Sequence, residues 1–589
     1  MDNRHIADVF QEMGDILEIQ GANHFRVLAY QKAARAINGL AQELKDIYAE
    51  DPKKLEAIPG IGKDLAAKII ELLRTGKCQA HEQMLKTFDR GLLELLRVRG
   101  IGPKKVMLFY SELGIDSITK LKEAALSGQL KNLPKMGAKS EAEIIKALSE
   151  YDRHQERMLL SDALDLANSL ITYLKKCPGV KNVHYAGSLR RMKDTIGDID
   201  LLVSVKNPKK DAPRIMEHFI RYPQAKSAIA HGETKSAILL QNGVQSDLRV
   251  LSERIYGAAL HYFTGSKAHN VRIREMAKKK GLKISEYGVF KTGLLREKLI
   301  AGETEQEVFK SVGLPYLEPE MREDRGEIEA ALNNKLPKLI LFENLKGDLH
   351  VHSRWSDGAG EIEEIARSYR EAGFEYIALT DHSQSATIAH GLTPERFRMQ
   401  WDEIDEINSD LAMEAKHGAP PFRILKGVEC DILPNGKMDL PDAILKKMEV
   451  VVASVHSRFN MSNKEMTERV MNAFDNPYVA IFGHPSGRII NQREPYQLDM
   501  EKIIDAAVRR GIALEINGQP SRLDLQDVYC KMAKERGAVF TVDSDSHSVT
   551  QKDFLRFGIA VARRGWLEKK NVLNTLPLMD LLTYLARRR

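Results

Sequence analysis

At 589 residues the chain exceeds one ordinary core, and about one domain per 150 residues implies three to five domains. Hydrophobic residues at 43%, charged residues at 29% and 21 scattered prolines exclude a disordered or fibrous chain. The net charge is only +6, but 53 Lys+Arg stand against 45 Asp+Glu up to Ala330 and 35 against 37 beyond it, so the basic excess lies in the first part.

The start, MDNRHIADVFQEMGDILEI, carries acids among its apolar residues and no small-residue cleavage site. No window reaches eighteen uninterrupted apolar residues, so neither secretion nor membrane insertion is expected. The first 150 residues read as helices, with apolar positions recurring at three and four. A short pattern repeats within them at about forty residues. Its copies are Leu55 to Lys63 around Gly60-Ile61-Gly62-Lys63, Leu96 to Lys104 around Gly100-Ile101-Gly102, and Leu130 to Lys139 with Pro134 and Gly137. Each reads as two helices about a glycine turn whose N–H groups can approach a phosphate, with lysines behind. A plain turn between packed helices is the alternative for any one copy. Two glycine-flanked copies followed by Lys63 and Lys104 favour the resemblance to helix-hairpin-helix motifs, which bind DNA backbone without reading sequence. The third copy lacks the first glycine and is the weakest.

From Val183 strands and turns take over: VHYAGSLRR, GDIDLLVSV, SAILL and VQSDLRVL alternate with helical stretches such as PRIMEHFIRY. Asp198 and Asp200 lie two apart at a strand start and so share a face, and Asp247 stands in a strand that suits a neighbour's place. Three convergent carboxylates repel unless hard divalent ions join them, which points to two-metal phosphoryl transfer. Upstream, Gly187-Ser188-Leu189-Arg190-Arg191 offers close backbone approach, a hydroxyl and two guanidinium groups for a triphosphate. A D-x-D pair alone is more often a pair of solvated acids; a Gly-Ser turn ten residues before it is a nucleotidyltransferase signature.

On these residues, positions 1 to about 317 resemble family X DNA polymerases, with a helical N-terminal domain followed by fingers, palm and thumb. The match includes Tyr262-Phe263-Thr264-Gly265-Ser266. The resemblance implies that Tyr262 and Phe263 crowd the sugar 2′ position beside Gly265, that Asn270 meets the base's minor-groove edge, and that Arg274 meets the template. It further implies that Gly187, Ser188, Arg191 and Gly197 hold the triphosphate, that two Mg²⁺ or Mn²⁺ ions bind the aspartates, and that a monovalent cation sits at the hairpin turns. Lys68 stands where lyase-active members carry a Schiff-base lysine. Asp64 one turn earlier replaces a second lysine of that pattern, and a neighbouring carboxylate raises an amine pKa, so a helix lysine near phosphate is the favoured reading.

A stretch without strong periodicity around residues 315 to 345 reads as a linker. Beyond it, short apolar runs (YIALT, FRILKGVE, VVVASVH, YVAIFGH, IALEING, VFTVDSD) alternate with helical segments, the rhythm of a barrel of parallel strands. Eight of the 17 histidines fall between His350 and His547. His350 and His352 share a strand face and Asp357 follows in a loop; His382, Glu429, His456, His484, Asp545 and His547 each follow an apolar run. In a parallel barrel those positions open onto one face. A lone histidine is more often structural, the reading kept for His390 and His417; repetition at strand ends is harder to dismiss. From His350 to about Leu581 the chain resembles the PHP domain, a distorted barrel with a trinuclear metal cluster. That resemblance implies these nine residues as ligands, with Mn²⁺ or Zn²⁺ suiting the mixed donors. Arg458 and Arg488 are candidates for a substrate phosphate, and Cys430 reads as a packing residue. Cys78, Cys177, Cys430 and Cys530 lie far apart with no C-x-x-C, which suits a reducing cytoplasm and no disulfide framework.

Modules in this order resemble the bacterial PolX family, family X polymerases fused to a C-terminal PHP domain. The expected fold is multidomain: an all-α helix-hairpin-helix region (an N-terminal domain over 1–85, fingers over 86–150), an α+β nucleotidyltransferase palm (151–255) with thumb (256–317), a linker (318–345), and a distorted (β/α) PHP barrel (346–581). The resemblance implies a DNA repair polymerase that fills short gaps in gapped or primed DNA from dNTPs, with a 3′→5′ exonuclease in the barrel and, by extension, abasic-site cleavage and 3′-phosphate removal. It also implies a monomer in the bacterial cytoplasm, associated with the nucleoid. The alternatives are a small-molecule phosphatase of the histidinol phosphate kind and a non-enzymatic DNA-end scaffold.

Overall fold

The computed structural model describes residues 3–38, 44–58, 60–96, 98, 100–134, 136–155, 157–291 and 297–586. Pro59 of the first hairpin, Arg97 and Arg99 of the second and Lys135 of the third lie outside the described residues. The chain forms two units, residues 1–156 with the short 357–359 segment, and residues 157–356 with 360–589.

In the first unit, apolar residues spaced at three and four bury one stripe of each helix. One core gathers Phe10, Met13, Tyr30, Ile37, Leu55 and Ile69, and a second gathers Leu95, Val106, Phe109, Leu121 and Leu130. The repeated hairpin is a repeated hydrogen bond: Ile61 N–H donates to the Ile58 carbonyl at 2.9 Å, Ile101 to Val98 at 3.0 Å and Met136 to Leu133 at 3.0 Å. Gly60 (φ +89°) and Gly100 (φ +78°) adopt the left-handed backbone that the turn requires. Gly62 and Gly102 then start the helices Lys63–Thr75 and Pro103–Leu113 with no side chain capping the first N–H groups. The third copy keeps the turn, but Glu141, buried in the first turn of Ala138–Gln155, accepts Lys131 N–H at 3.0 Å and adds a negative charge at this helix start that the other two copies lack at the same place.

The second unit begins with a five-stranded sheet in the order Val180–Tyr185, Asp198–Val205, Gln245–Ser252, Lys235–Leu240, Ala225–His231. The strands Asp198–Val205 and Gln245–Ser252 are parallel, with Asp200 directly opposite Asp247. Helices Tyr256–Thr264 and Lys267–Lys279 and a three-stranded antiparallel sheet follow. Residues 318–345, expected to be a linker, carry a 3₁₀ turn (Pro319–Met321) and a helix (Glu327–Leu332), and Arg322, Glu327, Ile328 and Ile340 are buried. Arg322, wholly buried, meets Glu305 at 2.6 Å, and Arg190 meets the other oxygen of the same carboxylate at 2.6 Å. Burial pushes the Glu305 carboxyl up, but the two guanidinium groups outweigh it and draw it down to about 2.

The rest of the unit is a barrel of seven parallel strands in sequential order: Gly347–Val351, Tyr376–Leu379, Arg423–Asp431, Val450–Ser454, Ile481–Phe482, Ala513–Asn517 and Phe540–Asp543. Every residue of six of them is buried, which explains why they read as short, mostly apolar runs without a solvent-facing alternation. The first and last strands approach through a parallel bridge of Val351 with Ser546, where His352 N–H donates to the Ser546 carbonyl at 2.8 Å. All four cysteines are buried free thiols. Among the described residues, no helix is long and apolar enough to cross a membrane.

Glu305→Ala should cost about 3–5 kcal/mol, because it strands the buried Arg322 charge. Urea unfolding of wild type and variant measures this directly. Because the folded carboxyl titrates below its ordinary value of 4.5, its stabilisation is present above that pH and lost as pH falls towards 2, where the two proteins should converge.

Candidate active sites

Strand alternation and register bring Asp198, Asp200 and Asp247 together: one oxygen from each lies within 4.8 Å of the others. Asp198 is exposed and the other two are half-buried. Burial first, then the charges of Asp198 and Asp247, push Asp200 up to about 7. Gln245 Nε2 donates to Asp247 at 2.7 Å. Gly187 fits this site by size as well as conformation. Its φ is +59°, and a Cβ there would lie 2.5 Å from Asp200 Oδ2, so the Gly-Ser turn runs against the carboxylates only as glycine. Ser188 follows, half-buried, in the short helix Gly187–Arg190, and Gly197 immediately precedes Asp198. Three carboxylates at this spacing, one of them raised by burial and by its neighbours' charges, suit divalent cations.

Both arginines of the turn are tied to acids. Arg190 donates to Glu305 at 2.9 and 2.6 Å and to Thr264 Oγ1 at 2.7 Å, bracing the turn. Arg191 donates to Glu323 at 2.9 Å and to the Thr264 carbonyl at 2.8 Å. The YFTGS run is a helix end: Tyr262 and Phe263 close the helix Tyr256–Thr264, their rings edge to face at 5.1 Å, and Arg249 lies over Phe263 at 4.4 Å. Asn270 Nδ2 donates to the Tyr262 carbonyl at 2.7 Å, and a Cβ on Gly265 would come within 2.6 Å of Asn270 Oδ1. Arg274, exposed, donates to the Asn270 carbonyl at 3.3 Å. In the first unit, Gly60, Gly62, Lys63, Gly100, Gly102 and Lys104 are exposed at the two glycine turns. Lys68 Nζ lies 2.6 Å from Asp64; partial burial would lower its pKa, but the carboxylate outweighs that and raises it.

In the barrel, Glu429 is the hub. His484 Nε2 (2.8 Å) and His456 Nε2 (3.1 Å) face one carboxylate oxygen; His382 Nδ1 (3.0 Å), His350 Nε2 (3.3 Å) and His352 Nε2 (3.6 Å) face the other. Asp545 lies 3.3 Å from His352 and 3.8 Å from His547. Ligating atoms fall into three overlapping sets: His350, His352 and Glu429; His382, Glu429 and His456; and His352, Asp357, His382 and His547. Buried, with no hydrogen-bond partner, His350 Nε2 and His484 Nδ1 mark donors suited to cations. The imidazoles outweigh burial and hold the Glu429 and Asp545 carboxyls well below the usual range. His390 and His417 are exposed and stand outside this group, and Cys430, its thiol pushed up to about 12 by burial, is a packing residue.

The sequence reading missed the groups that orient these imidazoles. Glu515 Oε1 takes His350 Nδ1 at 2.6 Å, and Asp431 takes His456 Nδ1 at 2.9 Å, so each ring presents Nε2 to the centre. Asn517 Nδ2 donates to Asp545 at 3.0 Å. Spacing carried a signal for both carboxylates: Asp431 lies two residues after Glu429 on the same strand face, and Glu515 alternates with Asn517 inside the barrel. Arg488, a sequence candidate for substrate phosphate, points elsewhere, donating to the Arg522 carbonyl at 2.7 Å and to Asp194 at 2.7 Å. Arg458 is exposed in a left-handed backbone conformation (φ +56°). The guanidinium beside the cluster belongs to Arg522, whose Nε lies 3.6 Å from Asp545 and whose buried Nη1 has no hydrogen-bond partner.

The fold and these centres define a class: a nucleotidyltransferase palm with its thumb, preceded by helical hairpins and followed by a PHP barrel. Family models agree, matching a helix-hairpin-helix domain over residues 1–78, a tandem helix-hairpin-helix over 92–150, a DNA polymerase beta thumb over 259–323 and a PHP domain over 348–519. The chain is 36% identical to the DNA polymerase/3′-5′ exonuclease PolX of Bacillus subtilis (strain 168), with 100% of both chains covered, and it belongs to the PolX family. Over 39% of its length it is 32% identical to 89% of a probable phosphatase of Thermoanaerobacter sp. (strain X514). Over 54% of its length it is 27% identical to 56% of DNA polymerase lambda of Rattus norvegicus.

Two outcomes follow from the ionisation states. With Asp200 titrating near 7, protons compete with cations there, so Mn²⁺ affinity at the aspartates should fall up to tenfold per unit below about pH 7 and level off above it; binding titrations from pH 6 to 8, taken as the difference between wild type and the Asp198→Ala, Asp200→Ala protein, read this site alone. Borohydride trapping on a 5′-deoxyribose phosphate substrate should give no adduct beyond that of Lys68→Ala, because Asp64 keeps the amine protonated.

Proposed function

We propose that the palm extends a primer 3′-hydroxyl across short gaps in DNA with dNTPs, and that the barrel removes nucleotides from 3′ ends. The observation that carries this is the presence of two separate cation-type clusters in one chain, carboxylates alone in the palm and mixed imidazoles and carboxylates in the barrel. Asp198, Asp200 and Asp247 would hold two divalent cations, Mg²⁺ or Mn²⁺, which supply charge neutralisation and a more acidic attacking hydroxyl. Gly187, Ser188, Arg191 and Gly197 receive the triphosphate. Tyr262 and Phe263 crowd the sugar, Asn270 reads the minor-groove edge of the incoming base, and Arg274 steadies the template.

In the barrel, His350, His352, Asp357, His382, Glu429, His456, His484, Asp545 and His547 would hold up to three ions, for which the nitrogen-rich donor set suits Mn²⁺ or Zn²⁺. Arg522 faces the substrate phosphate in place of Arg488. Because such a centre acts on phosphate esters generally, abasic-site cleavage and 3′-phosphate removal are assigned to it as well. The glycine turns at Gly60 and Gly100, with Lys63 and Lys104 and a monovalent cation at the carbonyls, grip DNA backbone; the third hairpin, with Glu141 in its first turn, does not. The protein acts as a monomer on chromosomal DNA in the bacterial cytoplasm.

The double substitution Asp198→Ala, Asp200→Ala should abolish primer extension on gapped DNA, at least about a thousandfold, and leave Mn²⁺-dependent 3′ digestion of single-stranded DNA intact. His350→Ala with His352→Ala should do the reverse. Parallel loss of both activities in either variant would contradict the division. DNA binding without incorporation by the wild type would favour an end-binding scaffold, and rapid turnover of histidinol phosphate a small-molecule phosphatase.

A further inference from the structure

The palm and the barrel halves of the second unit meet through buried charges that stand outside both cation clusters. The barrel helix Leu555–Arg564 ends in Arg564, whose side chain is 1% exposed. Its Nη1 donates to the Arg191 carbonyl at 2.8 Å and lies 3.3 Å from Glu323, and its Nη2 donates to Asp527 of the barrel half, which also takes Arg325 at 2.8 Å. Glu323 in turn accepts Arg191 Nε at 2.9 Å. One guanidinium therefore fixes both the backbone of Arg191 and the partner of its side chain.

The next residue shows why this turn needs holding. Met192 sits at φ +53°, a conformation costly for a residue with a side chain, and persists only where surroundings over-determine it. Asp194, two residues on, is gripped by Arg488, also from the barrel half. The turn that ends the Gly-Ser segment is thus clamped from the barrel side at both its ends. A lysine in place of Arg564 would keep the charge but could not reach a carbonyl and two carboxylates in one plane.

We propose that Arg564, contributed by the barrel half, is a positioning residue for nucleotide binding in the palm, acting by holding the Arg191 turn that presents the triphosphate-binding groups. This rests on the polymerase reading above. The test is single-nucleotide incorporation on gapped DNA by the full-length protein, with 3′ digestion of single-stranded DNA measured on the same preparations. Arg564→Lys should raise the KM for dNTP about tenfold while kcat stays within about twofold and 3′ digestion is unchanged. Arg564→Gln should raise KM further, so the lysine variant is a partial rescue. An unchanged KM, or parallel decline of both activities, would overturn the proposal. If Arg564→Lys does not fold, Asp527→Asn removes the barrel-side anchor while leaving Arg564 in place, and an unchanged KM in that variant overturns the proposal equally. A wild type that incorporates no nucleotide at all would instead sink the polymerase reading.

Discussion

Like charges brought close in a poorly solvated place repel, and each cluster in this chain is built on that repulsion. Asp198, Asp200 and Asp247 converge because parallel strands in register leave their side chains no other face. The cost shows in Asp200, whose carboxyl is pushed far above its ordinary value. In the barrel the same tension is eased by imidazoles arrayed about Glu429 and Asp545. The two solutions differ in softness and in donor number, which lets one chain carry two cation environments that do not compete for the same geometry.

Much of this was legible in the residues. D-x-D before an apolar run fixes a shared face whatever the fold, and the glycine of the upstream Gly-Ser turn, Gly187, was explained by the structure as a size limit against Asp200. The grouping of the barrel histidines and acids was legible because most of them follow an apolar run, and in a parallel barrel all runs end on one side. Directions of long side chains were not legible. Arg190 and Arg488 looked alike as phosphate candidates, yet Glu305 claims the first and Asp194 the second, partners 115 and 294 residues away. Glu515 and Asp431 escaped notice because the alternation that places them, Asp431 beside Glu429 and Glu515 beside Asn517, marks a strand face and not what an acid on that face does. Residues 318–345 lacked periodicity because their burial is irregular, set by Arg322 and Glu327 reaching Glu305, His269 and backbone groups rather than by one apolar stripe.

The salt-bridged segment between palm and barrel gives the second unit a physical continuity that a flexible tether would lack. Glu305 joins Arg190 of the palm turn to Arg322, and Glu323 joins Arg191 to Arg564 of the barrel. Buried ion pairs of this kind contribute little net stability over apolar packing, but each is costly to break from one side, so they define orientation more than they add strength. Opposed chemistries acting on one DNA end are thereby mounted on a common frame.

The burial of every native thiol has a practical side. With Cys78, Cys177, Cys430 and Cys530 all shut inside cores, the unmodified chain offers maleimide reagents a quiet background. A single cysteine engineered onto an exposed position, such as Lys104 in the second glycine turn, would accept a fluorophore or spin probe selectively, so the handling of a 3′ end could be followed in real time without first stripping the chain of sulfur.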